Sequence, residues 1–352
     1  MSAPFTTAFF QSMVVEGRLE LMYRYKFGAQ WHDLDDAAMQ DVAGVRGVET
    51  ITFDCVSKLT RKGMLCLTSL PVSAVEFNSC SVPPDAIAAL KRVDSLRRLV
   101  VAAHSLGDPE LAVLKSFEQL AELDLADAEL TDTALSALTG GALEETVSSL
   151  GLSNNSKITD VGMTHVGGFS QLEELNLAGG SITDSGVGIL AARSKGLKIL
   201  NLASLTGVTG FGLDQFGDSG ALQDLNLAAT GVDDDGLELG VSALANTLRE
   251  LSLGDATGFS RKGFSHVGKL TGLRLLDVQN AGQVQGDWLE ELAPLKGSLE
   301  ELRLDGTGVG NAGLGHLQGF TGLNYLGLWK TKVTQLGVQA VRRWLPKTRV
   351  HA

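Results

Sequence analysis

The chain has 352 residues, of which 44% are hydrophobic and 20% are charged, and its formal net charge at pH 7 is −12. This balance predicts a folded chain and excludes a disordered one. The acidity makes nucleic acid a poor candidate partner, because it would repel a phosphate backbone.

The first 47 residues predict an N-terminal arm and capping segment. Within residues 30–47, the spacing Asp36-x-Ala38-Met39-x-x-Val42 is that of a helix and suggests the helical half of a repeat. We expect no strand before it. Three alternatives remain for residues 1–29: an arm, a cap or a targeting segment. The first fifteen residues carry no charged side chain and the first arginine is Arg18. Both facts argue against a secretory signal and a mitochondrial transit peptide.

Residues 48–345 repeat one template in about twelve segments of 24 to 27 residues. Each segment opens with L-x-x-L-x-L, whose last two leucines are two apart and therefore share one face of a strand. We number places from the first residue of each segment. A repeat of this length and pattern predicts a leucine-rich-repeat solenoid. The segments begin at Val48, Val72, Leu96, Leu120, Val147, Leu172, Leu197, Leu222, Leu248, Leu273, Leu299 and Leu323.

The second half of each segment switches to helical spacing. Asp160, Asp184 and Asp234 precede its first residues and predict helix N-caps. Glycine recurs at the start of the helical half, where we expect it to let the neighbouring segment approach closely. Pro346 ends the last helix. Residues 346–352 then predict a C-terminal cap, with a last strand fragment near Thr348–His351.

The segment LEELNLAGGSITDSGVGIL (172–190) resembles the repeats of the ribonuclease-inhibitor-like superfamily. More narrowly it resembles the cysteine-containing, F-box-associated subclass, whose Cys/Thr position is matched by Cys80, Thr230, Thr307 and Thr331. The resemblance implies an α/β fold, a right-handed arc-shaped solenoid with a parallel sheet on the concave side and helices on the convex side. It also implies a role as a ubiquitin-ligase substrate-receptor arm, a bacterial effector or a scaffold subunit.

The candidate partner-binding site lies between the leucines. Places three, five, seven and eight of each segment should face outward on the strand side, and acids outnumber bases there. The seventh place is often Ala or Gly, which predicts a smooth trough that admits a partner closely. One hypothesis is that this trough binds a basic segment of a protein partner, and the other is that parallel strands simply need polar outward residues. The predicted contact residues are Glu122, Asp124, Glu174, Asp224, Glu250, Asp277, Glu301, Arg303, Tyr325, Trp329 and Lys330.

The last repeat differs, because it places Tyr325, Trp329 and Lys330 outward beside Arg303. Tyr, Trp and Arg are the common hot-spot residues of interfaces. We favour an interface here, with the alternative that residues 349–352 fold back over the aromatic rings as a cap.

The sequence predicts no catalytic, cofactor-binding or metal-binding residues. The six histidines, 32, 104, 165, 266, 316 and 351, are scattered without metal-ligand spacing. The glycines at 306, 308, 310 and 313 imitate a dinucleotide fingerprint but belong to an ordinary repeat turn. No apolar stretch is long enough to span a membrane.

We therefore expect a non-enzymatic adaptor or scaffold subunit of a multi-protein complex. The alternative is a substrate-receptor arm that works with a separate ubiquitin-ligase component, which ranks second because residues 1–47 lack the Leu-Pro opening of an F-box. Three cysteines without a Cys-x-x-Cys pair argue against disulfides and zinc. They favour a reducing, cytoplasmic location, with mitochondrial or cytoskeletal association left open.

Overall fold

The computed structural model describes residues 5–27, 30–102 and 106–352. The chain forms two compact units, one of Met1–Ile158 with Gly168–Leu172 and the other of Thr159–Gly167 with Glu173–Ala352. His104 and residues 1–4 and 28–29 of the predicted arm lie outside the described residues.

The first unit alternates parallel strands with short helices. An antiparallel hairpin, β2 with β3, interrupts the alternation near the N-terminus. The strands are β1 Arg18–Met22, β2 Arg24–Phe27, β3 Gln30–Asp33, β4 Thr50–Asp54, β5 Ala74–Asn78, β6 Arg98–Ala102, β7 Glu122–Asp124 and β8 Ser149–Gly151. The α-helices are α1 Thr7–Gln11, α2 Ala38–Val42, α3 Arg61–Met64, α4 Pro84–Ala89, α5 Asp108–Leu114, α6 Asp132–Leu138 and α7 Leu143–Thr146, with 3₁₀ turns at Leu65–Ser69 and Leu90–Arg92.

The second unit has the same alternation, but three of its helical halves within the described residues are 3₁₀ turns alone. Its strands are β9 Glu174–Asn176, β10 Ile199–Asn201, β11 Asp224–Asn226, β12 Glu250–Ser252, β13 Leu275–Asp277, β14 Glu301–Arg303, β15 Tyr325–Gly327 and β16 Arg349–His351. Its α-helices are α8 Met163–Val166, α9 Asp184–Arg193, α10 Arg261–Phe264 and α11 Gln335–Trp344. The remaining helical turns are Phe211–Phe216, the π-helix Gly236–Val241, Ser242–Leu244, Val267–Lys269, Gly286–Leu295 and Gly313–Leu317.

Outside the β2–β3 hairpin, neighbouring strands of each unit pair in parallel with matching register, so equivalent places of neighbouring repeats lie side by side. Leu175, Leu200 and Leu225, for example, are direct partners across β9, β10 and β11. All three are fully buried, and burying a leucine side chain contributes roughly 1.5–3 kcal/mol. The repeated leucines therefore form the core between the strands and the helical halves, as the template predicts.

Aromatic side chains fill the wider gaps of this core. Trp288, which stands where most repeats have glycine, is 9% exposed, and its ring lies 5.6 Å from Phe264 and 6.3 Å from Phe259 of the preceding repeat. Trp288 therefore packs between two repeats.

Polar side chains before the helical halves tie several repeats to the next one. Asp234 Oδ1 accepts hydrogen bonds from the Ser260 and Gly263 amides at 2.6 and 3.0 Å, and its Oδ2 accepts one from the Ser260 hydroxyl at 2.7 Å. Burial alone would raise the pKa of Asp234, but these hydrogen bonds outweigh burial and the pKa lies below its usual value. The equivalent contacts join Asp36 to Thr60, Asp160 to Thr183, Asp184 to Thr209 and Asn311 to Thr334. We call these contacts inter-repeat clamps.

The clamps correct one sequence prediction and explain another. Asp184 does not cap its own helix α9, whose N-cap is Thr183; it binds the following repeat instead. A Cβ atom on Gly263 would collide with Asp234 Oδ1. Glycine at this place therefore allows the close approach of the preceding repeat, as expected.

The N-terminal region contradicts the expectation that no strand precedes residues 30–47. Strand β1 pairs in parallel with β4, with Leu19 beside Ile51 and Leu21 beside Phe53. Leu19 and Leu21 are fully buried, so this strand covers the edge of the core with the same alternation as a repeat. At the other end, β16 pairs in parallel with β15, which confirms the predicted last strand fragment.

Candidate functional site

Parallel pairing builds the predicted partner-binding face, because it aligns the outward places of successive strands. In β9, Glu174 is exposed, Leu175 is buried and Asn176 is half-buried. Places three and five therefore point away from the core, as predicted. We call the resulting surface of each unit its strand face.

On the strand face of the first unit, Glu76 and Glu122 are already paired with bases. Glu76 is buried and receives Arg18 Nη2 at 3.3 Å, Arg98 Nη1 at 3.1 Å and the Thr52 hydroxyl at 2.9 Å. Arg98 Nε lies 3.3 Å from Glu122 Oε2. Glu122, a predicted contact residue, is thus part of a chain of ion pairs that also includes Arg18. The sequence did not indicate Arg18, because its strand β1 lacks the leucine template.

The second unit carries three acids at place three of β9, β11 and β12, which we call the acid row: Glu174, Asp224 and Glu250. In register, Glu174 is beside Ile199, Ile199 beside Asp224, and Asp224 beside Glu250. Within the described chain, no Lys or Arg nitrogen lies within the 4.0 Å ion-pair distance of the Asp224 or Glu250 carboxylate. Burial raises the pKa of Asp224 to about 6, and the carboxylates of Glu250 and Glu174 contribute to the rise. Among the described residues, the carboxylates of Asp224 and Glu250 therefore carry negative charge without an ion-pair partner.

An apolar residue interrupts the acid row. Ile199 is 39% exposed although it occupies the same outward place as Glu174 and Asp224. Ile199 is not among the predicted contact residues, which are all charged or aromatic. An aliphatic residue at place three, where neighbouring repeats have acids, was the signal.

Farther along the second unit, three predicted contact residues bind one another. Arg303 Nη2 lies 2.6 Å from Glu301 Oε1, and Arg303 Nη1 lies 3.4 Å from Asp277 Oδ2. These two acids are therefore compensated by Arg303. Burial raises the pKa of Asp277 more than Arg303 and the Gln279 amide lower it.

Polar residues at place five have a structural role in the turn that follows the strand. Asp124 Oδ1 accepts a hydrogen bond from the Ala126 amide at 3.0 Å, and Asp277 Oδ1 accepts one from the Gln279 amide at 2.9 Å. Asn176, Asn201 and Asn226 bond the amide two residues on in the same way. For Asp124 and Asp277 these bonds agree with the hypothesis that outward strand residues are polar for structural reasons.

Place eight, which the sequence suggested as a contact place, is where the chain turns out of the strand. Every described residue at this place has a positive φ, including Ala229 at 55° and Lys330 at 55°. Asp, Asn and Gly tolerate this left-handed conformation better than other residues do. The others at this place are Cys55, Ser79, Asp127, Asn154, Gly179, Ser204, Asp255, Asn280 and Gly306.

The aromatic residues of the last repeat lie where the sequence predicts. Trp329 is 51% exposed, Tyr325 is half-buried, and Lys330 Nζ lies 4.0 Å from the centroid of the Trp329 ring. Strand β16 pairs beside β15, yet half of the Trp329 side chain stays accessible. The C-terminal strand therefore covers the edge of β15 without covering the Trp329 ring.

The described residues 5–27, 30–102 and 106–352 contain no group of three or more His, Cys, Asp or Glu side chains that could hold a metal ion. Across the same ranges, no helix is both long and apolar enough to cross a membrane.

No protein-family model matches the sequence, and a search of curated proteins finds no match. Solved structures do match. An internalin from Listeria monocytogenes is 16% identical, with 91% of this chain and 89% of that chain covered at a TM-score of 0.54. The Rad7 and Elc1 complex from yeast is 18% identical, with 90% and 83% covered at a TM-score of 0.51. The mouse RP105/MD-1 complex is 16% identical, with 94% of this chain but 59% of that chain covered at a TM-score of 0.56.

These neighbours are leucine-rich-repeat proteins, and two of the three structures are complexes of two proteins. At identities below 20% the likeness concerns the fold alone. Together with the parallel strands and the repeated helical halves, it shows that this chain folds as an α/β leucine-rich-repeat solenoid.

Proposed function

We propose that this chain is a non-catalytic protein–protein interaction module, an adaptor or scaffold subunit of a larger complex. Its acid row takes a basic segment of the partner. The observation that supports this most is that, among the described residues, the Asp224 and Glu250 carboxylates have no ion-pair partner, whereas Glu301 and Asp277 are paired with Arg303. A Lys or Arg side chain from a partner would supply the missing counter-charge, and partial burial of Asp224 would strengthen that contact.

The shape of the acid row supports a partner segment that is both basic and apolar. Ile199 offers an exposed aliphatic surface between Glu174 and Asp224. Alanine occupies place seven of the repeats that contain β9, β10 and β11, so no long side chain projects beside the acids. A segment with alternating basic and apolar side chains fits this arrangement.

Buried contacts at place nine support the narrower proposal that the repeats are of the cysteine-containing subclass. Cys80 is 2% exposed, and its thiol lies 3.1 Å from the Phe53 carbonyl. Thr230 and Thr307 are also buried, and each hydroxyl donates to the carbonyl three residues earlier, at 2.7 and 2.6 Å. Cys and Thr thus fill one place with a small donor. The exposed thiol of Cys55 supports a reducing compartment, and we propose a cytoplasmic location on that ground.

The test is affinity purification of the whole chain with quantitative mass spectrometry, comparing three forms. In the first variant, Glu174→Gln, Asp224→Asn and Glu250→Gln neutralise the acid row. In the matched control, three exposed acids of the helical halves are neutralised as Asp214→Asn, Asp218→Asn and Glu290→Gln. Both variants have the same net charge, so non-specific attraction to basic proteins is equal.

We expect the acid-row variant to recover its main partner about tenfold less, because a desolvated charge pair contributes one to several kcal/mol. The control should recover the partner as the unaltered chain does. Equal recovery by both variants would disprove the role of the acid row. Recovery of ubiquitin-ligase subunits by the unaltered chain would favour the alternative function, a substrate-receptor arm that works with a separate ligase component.

A further inference from the structure

The last repeat and the residues after it have a charge opposite to that of the chain as a whole. Residues 323–352 contain no Asp or Glu, whereas the net charge of the chain is −12. We call this stretch the cationic end. Its basic side chains are Lys330, Lys332, Arg342, Arg343, Lys347 and Arg349.

These six cations are exposed and make no ion pair. Within the described part of the chain, none of their nitrogen atoms lies within 4.0 Å of a carboxylate oxygen. In a chain with an excess of acids, this separation leaves the positive charge available to a partner.

The structure holds the Trp329 ring outward on this cationic surface. The Trp329 amide donates to Asp305 Oδ1 at 2.8 Å, and the Trp329 carbonyl accepts from the Gly306 amide at 2.8 Å. Asp305 is only 9% exposed, and its hydrogen bond fixes the Trp329 backbone. The left-handed turn at Lys330 then carries its ammonium group over the ring. The ring is thus anchored through its backbone and half-accessible through its side chain.

Basic side chains flank the ring. The Asp305 carboxylate lies where a side chain at the buried Gly327 would be, so the space between Tyr325 and Trp329 is filled. Register places Arg349 of β16 directly beside Tyr325 and His351 beside Gly327. The accessible part of this surface is therefore the Trp329 ring with its basic neighbours.

We propose that the cationic end is a second docking surface, separate from the acid row, which binds an acidic segment of a partner protein. One apolar side chain of that segment packs on the exposed part of the Trp329 ring, and its carboxylates contact Lys330 and Arg349. The charge of the surface selects the acidic segment, and exposed Trp and Arg are among the residue types that contribute most to protein interfaces.

The test uses the whole chain and two fluorescein-labelled synthetic peptides in anisotropy titrations. In the first peptide Asp and Glu residues flank a single Phe. In the second, Asn and Gln replace the acids. We expect the acidic peptide to bind, with affinity that falls between about 50 and about 500 mM salt, and the amide peptide to bind far more weakly.

Variants separate the ring from the charge. Trp329→Ala should weaken binding about tenfold or more, and Trp329→Phe should retain most of the affinity. The triple change Lys330→Gln, Lys332→Gln, Arg349→Gln should weaken binding and reduce its salt dependence. The matched control changes three exposed cations elsewhere, Arg92→Gln, Lys195→Gln and Lys296→Gln, and should bind as the unaltered chain does.

The acid-row variant distinguishes this second docking surface from the proposed function. Binding of the acidic peptide should survive Glu174→Gln, Asp224→Asn and Glu250→Gln, so either proposal can fail without the other. Equal affinity for the two peptides would overturn the cationic end as a docking surface. So would self-association in ultracentrifugation that Trp329→Ala abolishes, tighter binding to phosphatidylserine vesicles than to the peptide, or a clear loss of thermal stability in Trp329→Ala.

Discussion

Acids on the strand faces of the two units have different surroundings. In the first unit, Glu76 is buried and receives two arginines and a threonine hydroxyl. In the second unit, Asp224 is half-buried beside two other carboxylates, and its pKa is raised to about 6. Val75 and Phe77, which flank Glu76, are as fully buried as Leu225, which follows Asp224, so the difference arises from the outward residues.

One repeat template thus supports opposite energetic roles for an acid. Where arginines are within reach, the carboxylate stabilises the strand face. Where other carboxylates surround it, the charge destabilises the fold and is retained at a cost. A residue kept at a cost to stability is a candidate for binding, and this reasoning favours the acid row over the paired acids of the first unit.

The largest expected effect is the loss of an inter-repeat clamp, a contact that both units contain. Removing an inter-repeat clamp by Asp234→Ala in the second unit or Asp36→Ala in the first should each lower the free energy of unfolding by about 3 kcal/mol. The reason is that each carboxylate accepts several hydrogen bonds, and bonds to charged groups are the stronger ones. Urea denaturation measures the loss, and amide exchange at Gly263 localises it in the second unit. Asp218→Ala, an exposed control, should change stability by less than about 0.5 kcal/mol. If Asp36→Ala leaves the free energy of unfolding unchanged, the clamps do not stabilise both units alike.

The next effect is specific to the first unit. Glu76→Gln should lower the free energy of unfolding by about 2 kcal/mol, since it leaves Arg18 and Arg98 without their shared carboxylate. Glu122→Gln is the control, because its side chain is 53% exposed and an exposed pair contributes at most about 1 kcal/mol. Thermal denaturation of both variants checks the order. An equal loss in both would contradict the special position of Glu76.

In the second unit the same kind of change should have the opposite sign. Asp224→Asn should raise the free energy of unfolding at pH 8 by about 1 kcal/mol, a value reduced for solvent screening because Asp224 is only half-buried. The folded-state pKa of about 6 exceeds the ordinary value of 3.8. Protonation therefore stabilises the folded state at low pH, and this stability is lost as the pH rises through 6. The benefit of Asp224→Asn should accordingly vanish below about pH 4. Denaturation of both proteins between these pH values is the measurement, and a pH-independent difference would contradict the assigned cause.

The smallest effect concerns the turn at place eight, which is equal in both units. Ala229→Gly in the second unit and Ser79→Gly in the first should each stabilise by about 0.5 kcal/mol. Glycine adopts the left-handed conformation without steric strain. Its greater conformational freedom in the unfolded chain offsets part of this gain in stability. Ala228→Gly, at the neighbouring place without a positive φ, should destabilise by a similar amount. Melting temperatures of the three variants test the contrast.

The repeated part of the fold could be predicted because its signal is local and periodic. Leucines two apart define the strands, and the glycine before each helical half marks the close approach of the next repeat. Strand β1 could not be predicted in this way, because Arg18–Met22 carries only the alternation of a short strand. Its partner β4 lies more than thirty residues away along the chain.

The candidate site could be predicted as a list of outward places but not as an electrostatic surface. Charge alone made Glu122, Glu250 and Glu301 equivalent, whereas the structure pairs Glu122 with Arg98 and Glu301 with Arg303. Pairing depends on rotamers and on register between strands about 25 residues apart, which one segment read alone does not contain. The half-exposed Trp329 followed directly from its place in the template.

The inter-repeat clamps have a mechanical consequence. Each one joins a repeat only to its neighbour, as do the hydrogen bonds between strands, so tension along the chain would load the junctions between repeats one after another. The chain should then lengthen in steps, with one repeat released at each step. For 24 to 27 residues, each step should add about 8–9 nm of extended chain. Such a protein would behave under load as a spring with a sawtooth response, in contrast to a globule that ruptures once.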